Sequence, residues 1–382
     1  MQPSRSWTLF ASAPLALANL LSAQNSPVPG TGELGGPIRT LAAPELEQWL
    51  RGRKLFDHAF HESDGLGANE LNADSCRGCH QDPVLGGAGA LELNVSRFAR
   101  DNLGLGPFQN LPGGQAASKL RPPYVHGREE YNDDQADVFE QRQTPALFGA
   151  GLLDAVPDAE ILAREDRNDL DGDGIRGVAR RLTVDGRTEI GRFGWKAQVP
   201  RLRDFVKDAM AGELGITTPD DLRGFAMLGD VDGTPDPEID EAEVEDMFFF
   251  MANLAAPRRT GSLDPQVTMG ELLFEQIGCA RCHAPELAGP SGPVRAFTDL
   301  LLHEVWPEDF RGMVEPGAAA GVYRTPPLWG IRLSAPYMHD GRAEGLTGAI
   351  LLHAGEGSPA RRAFRDLPAL EKEALLAFLE DL

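Results

Sequence analysis

The chain has 382 residues, enough for two domains, and 42% of them are hydrophobic, enough to build cores. Its 58 acidic against 36 basic residues give a formal net charge of −22, which argues against nucleic acid or an anionic membrane as partner and suits a basic one, such as a small cationic electron carrier. With 43 glycines and 29 prolines, long loops wrapped around a buried group are expected more than long regular elements.

In chain order, Arg5 and a Pro- and Ser-interrupted apolar stretch from Trp7 to Leu21 lead to small residues at Ser22-Ala23. This predicts a signal peptide over 1–23, a flexible leader over 24–39, and a mature chain exported to the periplasm, with a retained N-terminal anchor as the alternative. No later segment has the apolar length of a membrane span. A helix is predicted over Ala43 to Phe60, with Leu46, Trp49, Leu50, Leu55 and Phe56 apolar. Cys76-Arg77-Gly78-Cys79-His80 follows.

Asp169, Asp171 and Asp173 alternate ahead of Gly174, as at the opening of a calcium loop, but the twelfth position is Arg180 rather than Glu. Either a bound calcium ion or a solvated Asp-rich turn fits. An amphipathic helix is expected over Glu241 to Leu254, carrying Val244, Met247, Phe248, Met251 and Leu254. Pro257 to Asp264 reads as a linker. A short helix over Val267 to Ile277, with Met269, Leu272, Leu273 and Phe274 apolar, closes at Gly278, directly before Cys279-Ala280-Arg281-Cys282-His283. The last predicted helix is Leu370 to Leu382, with Leu375, Phe378 and Leu379 on its apolar side.

The two Cys-x-x-Cys-His motifs use every cysteine in the chain. In this pattern two thiols form thioethers to the haem vinyl groups, and the next imidazole lies under the iron as proximal ligand. Two disulfides or one zinc site would use the cysteines equally well, but neither explains a histidine after each pair. His80 and His283 are therefore the expected proximal ligands of two covalent c-type haems. The chain reads as two copies of one plan: helix, motif, Gly/Pro-rich loop, a phrase (Arg142 to Gly149; Arg324 to Gly330), then a helix. The expected fold is mainly α, with two cytochrome c-like haem domains that carry long Gly/Pro-rich loops, over 40–257, with an extended insert, and 264–382.

The phrases Gly151 to Pro157, Gly191 to Pro200, Asp299 to His303 and Arg324 to Gly330 resemble the bacterial dihaem oxidoreductases, a family also labelled thiol oxidoreductase. Ala335 to Gly341 resembles the wider superfamily of dihaem cytochrome c peroxidases and tryptophylquinone-forming enzymes. The resemblance runs over about residues 40–382 and implies that one haem reacts with peroxide or oxygen while the other relays electrons. It also implies a sixth ligand for the C-terminal haem some fourteen residues past His339, which makes His353 the first choice, with His303 and Met338 as rivals. His339 itself reads as a structural residue near a propionate.

No sixth ligand is evident for the N-terminal haem, although His58, His61 and His126 are available. Gln141 and Pro145 match the superfamily's distal Gln and Pro spacing. The Glu expected six residues past that Pro is Gly151 here, so Asp154 or Glu140 must substitute if a carboxyl is to move a proton. Trp195 is a candidate for the electron path between the haems, or a core residue. The resulting expectation is a peroxidase-like oxidoreductase fed by a small donor such as a cytochrome or cupredoxin. The alternative is an electron carrier with both haems six-coordinate. No residue supports the thiol label.

Overall fold

The computed structural model describes residues 27–66, 73–111, 135–219, 233–261 and 263–382. The signal-peptide reading and His126 lie outside these residues. Helix α1 (Ala43–Phe56) carries Pro44 in its first turn, with the Glu45 carboxylate accepting the Ala42 N–H at 2.9 Å. It ends four residues before the expected Phe60, because Asp57 closes the last turn. Next come α2 (Cys76–Cys79), α3 (Ala150–Asp154), α4 (Asp158–Leu162), α5 (Leu202–Ala209) and α6 (Glu241–Ala252). Then follow α7 (Pro265–Gln276), α8 (Leu346–Leu352), α9 (Ser358–Asp366) and α10 (Ala369–Asp381).

The same helix crossing is built twice. Helix α1 packs on α6, and α7 packs on α10. Each crossing is closed by a glycine: a Cβ at Gly52 would lie 1.9 Å from the Asp246 carbonyl oxygen, and one at Gly270 would lie 2.0 Å from that of Ala374. Four residues on, Phe56 meets Phe250 at 5.2 Å between ring centroids, and Phe274 meets Phe378 at 5.3 Å. Those phenylalanines sit 6.1 Å from the His80 ring and 6.5 Å from the His283 ring, so each crossing presents its motif histidine in the same way. Because the glycine face is the buried one, Leu46, Leu50, Met269 and Leu272 are exposed, although their spacing placed them on the apolar side.

The strands are short. A three-stranded antiparallel sheet has the order β2 (Gln109–Asn110), β1 (Val95–Arg100), β3 (Val138–Arg142). Three two-stranded ladders pair β4 (Arg181–Val184) with β5 (Arg187–Ile190), β6 (Leu287–Gly289) with β7 (Gly292–Val294), and β8 (Leu302–Glu304) with β9 (Val322–Arg324). The mainly α expectation omitted them, since two- to six-residue strands inside Gly/Pro-rich loops carry too little alternation to register.

The described part of the expected leader over 24–39 contacts the segment after α6. Pro37 bridges to Leu254, the Ile38 N–H donates to Asn253 O at 2.7 Å, and the Ala255 N–H donates to Gly36 O at 2.9 Å. The largest core runs from α1 and α6 into Leu287, Leu300 and Leu301, and a second core surrounds α7 and α10. The two repeated phrases also lock together: Gly149, at φ +74°, leaves room for the Trp329 ring, which a Cβ there would meet at 2.5 Å.

Candidate active site

One cavity of about 720 Å³ reaches both motifs, with Cys76, Cys79 and His80 at one end and Cys279, Cys282 and His283 at the other. The first motif is a single helical turn whose Gly78 N–H donates to the Ser75 hydroxyl at 3.1 Å. The second is a 3-10 turn entered through Gly278 at φ +92°. These tight turns set both thiols and the following imidazole against the cavity wall. The four thiols are unbridged, and burial pushes those of Cys76 and Cys279 up to about 12. A poised thiolate, which disulfide exchange needs, is the opposite condition.

Three cavity histidines share one arrangement. His80 Nδ1 lies 3.2 Å from Gly87 O, His283 Nδ1 3.0 Å from Phe297 O, and His353 Nδ1 2.8 Å from Ala349 O. A carbonyl on Nδ1 fixes the tautomer and leaves Nε2 as the nitrogen able to bind a metal. Burial lowers His80 and His283 to about 4 and also lowers His353, so all three are neutral, as ligation requires. His353 at the end of α8 is close enough to His283 that the two imidazoles oppose each other's protonation. Among the described residues no imidazole acts on His80 in this way.

His303 is spent elsewhere. Its Nε2 lies 2.8 Å from Asp299 and its Nδ1 2.7 Å from Glu356. Burial alone would discharge it, but Asp299, Cys282 and Glu356 hold it protonated well above the ordinary histidine range. Met338 lines the cavity at φ +73°. His339 Nε2 is 3.1 Å from the Tyr323 hydroxyl, inside a cage of Tyr323, Trp306, Phe310 and Trp195. Trp195 lines the same cavity, and its indole N–H donates to Gln143 O at 2.8 Å.

A family model described as "Di-haem oxidoreductase, putative peroxidase" matches residues 128–382. The chain belongs to the dihaem oxidoreductase family. It is therefore a haem oxidoreductase. No curated protein matches it. Among solved structures, hydrazine synthase from Kuenenia stuttgartiensis, pressurised with xenon, is 17% identical, with 100% of this chain and 98% of that one covered and a TM-score of 0.44. A MauG-like protein associated with microbial copper homeostasis is also 17% identical, with 94% of each chain covered and a TM-score of 0.43.

For a dihaem oxidoreductase the cavity fits its cofactors. It is continuous between the two motifs, and its histidines are neutral and oriented. It also holds a cation whose partner is not a protein carboxylate. Arg324 donates from Nε to Gly194 O at 3.0 Å and from Nη1 to Thr325 O at 3.0 Å, and no carboxylate pairs with it among the described residues. Burial lowers it to about 10, so it remains a cation on the cavity wall, suited to a haem propionate. Arg142, in the matching phrase, is by contrast neutralised by Glu140 at 2.8 Å and Glu315 at 2.9 Å.

The other expected distal groups of this dihaem oxidoreductase separate. Pro145 lines the cavity. Gln141 does not: β3 alternates, so Gln141 faces outward and donates to Ser96 at 2.6 Å, while buried Gln143 lines the cavity instead. Asp154 is spent on backbone, accepting the Leu202 N–H that opens α5 at 2.8 Å. Glu140 is tied to Arg142, to the Met313 N–H and to the Tyr323 hydroxyl. The Asp loop divides: Asp166, Asp169 and Asp171 cluster within 4.8 Å, while Asp173 turns to Arg281 of the second motif at 3.1 Å. Sequence reading gave no role to Gln143 and Arg324, although both lie in the repeated phrases, and it missed Arg97 and Asp208 on the cavity wall, which nothing local marks.

Proposed function

We propose that the chain is an exported c-type enzyme carrying two thioether-bound haems, at Cys76/Cys79 and Cys279/Cys282. In this reading His80 and His283 are the proximal ligands. His353 is the sixth ligand of the second haem, which makes that haem low-spin and suited to relaying electrons. The first haem keeps an open side and reacts with peroxide. The observation that carries the reading is the asymmetry of the imidazoles: His283 has a neutral, oriented partner in His353, and His80 has none among the described residues. The haem supplies the redox chemistry. The chain supplies the axial nitrogens, the Arg324 charge and a walled cavity. In this reading Trp195, which lines the cavity and donates to the Gln143 carbonyl, carries electrons between the two haems. Electrons come from a small cytochrome or cupredoxin. Along the described residues no helix is long and apolar enough to cross a membrane.

The test uses protein matured in a host that attaches c-type haem. Its mass should exceed that of the bare chain by two haems, and hydrogen peroxide should oxidise a reduced donor cytochrome in its presence. A two-haem protein that leaves the reduced donor untouched when peroxide is added supports the electron carrier instead.

A further inference from the structure

The distal carboxyl expected past Pro145 is missing, since that position is Gly151, and Glu140 and Asp154 are both committed elsewhere. The structure offers another. Asp208 stands on the last turn of α5, whose helix passes directly into a π-helical turn at Met210–Leu214. Such turns often mark functional sites, because they re-aim the side chains beside them. The segment walls the first motif: the Ala73 N–H donates to Glu213 O, and the Glu213 charge reaches Cys76. Asp208 lines the cavity that reaches this motif, as do Arg97, Arg142 and Gln143. Unlike the other two carboxyls, it has no hydrogen-bond partner among the described residues.

We propose that Asp208 is the proton-transfer carboxyl of the first haem pocket. This rests on the peroxide reading above. The carboxylate takes the proton from one oxygen of hydrogen peroxide and returns it to the other. The O–O bond breaks with its electron pair on that second oxygen, which leaves as water. Two electrons from the donor and two protons from solvent then reduce the first oxygen to a second water, so that one peroxide yields two waters. Its setting suits both steps: burial raises the carboxyl to about 6, with Arg97 opposing and Glu315 reinforcing the shift. Arg97 on β1 and Glu315 from the loop before β9 are the charged groups that act on it among the described residues. A group near the working pH can both accept and give a proton.

The test compares wild-type holoprotein with Asp208→Asn and Asp208→Glu. The reaction of Asp208→Asn with peroxide should be slower by about 10²- to 10⁴-fold, and Asp208→Glu should recover part of it. The wild-type rate should fall as pH drops through about 6. Infrared difference spectra should show a protonated-carboxyl band growing over the same range and missing from Asp208→Asn. Haem content should be equal in all three, and Asp208→Asn should unfold no earlier than wild type, since the carboxylate is a burial cost. A fast Asp208→Asn, or a rate flat across pH 6, overturns the assignment and leaves the peroxide reading standing. A wild type inert to peroxide overturns that reading, and the role of Asp208 with it. If Asp208→Asn does not fold, the pH profile and Asp208→Glu decide.

Discussion

At the scale of single residues, the histidines are sorted by what already holds them. An imidazole with one nitrogen on a carbonyl and the other free can take a metal, and His353 is in that state. One gripped on both sides by carboxylates cannot, and His303 is in that state. Sequence spacing left the two as rivals, because neither position shows where Asp299 and Glu356 will come to lie. The distal residues show the same limit. The superfamily spacing selects Gln141, but the pleat of β3 turns it outward, and Gln143, just past the end of the strand where the alternation stops, lines the cavity instead. His303 carries a pH prediction. Its folded pKa is raised, so its contribution to stability is complete below about 6.5, the unfolded value, and is lost as pH rises through the raised folded value. His303→Gln should cost about 3–5 kcal/mol near pH 6. Thermal midpoints from pH 6 to 10 should show the gap to wild type narrowing with pH, and a constant gap would mean packing alone is at work.

At the scale of elements, the chain repeats one crossing. Gly52 and Gly270 let two helix backbones touch, and the phenylalanine four residues on backs each motif histidine. Periodicity revealed all four helices to within a few residues, because helical pattern is local. It revealed the buried side of α6 and α10, where Val244, Met247, Met251, Leu375, Phe378 and Leu379 are buried, but it misplaced Leu46 and Leu50 on α1 and Met269 and Leu272 on α7, where the closest contact is made by a glycine. Gly52→Ala and Gly270→Ala should each destabilise the holoprotein by about 1–3 kcal/mol or more, since the added methyl must displace a backbone carbonyl. Urea denaturation followed by haem absorbance checks this. A neutral result at both sites would show that the crossings are looser than the geometry implies.

At the scale of the molecule, the two halves share a single cavity that joins the motifs, and this joint depends on contacts no local pattern carries. Arg142 meets Glu315 across 173 positions and Arg97 meets it across 218, so the charged wall of the cavity was invisible in the sequence. The motifs at its two ends are plain in the sequence, because two cysteines and a histidine at fixed spacing are a local pattern rather than a packing outcome. The proposed function makes the two haems unequal. Electron paramagnetic resonance of the ferric holoprotein measures this most directly. One high-spin and one low-spin iron in equal amounts are expected, with His353→Ala converting the low-spin signal to high-spin. Two low-spin irons in the wild type, or a low-spin signal that survives His353→Ala, would contradict the account.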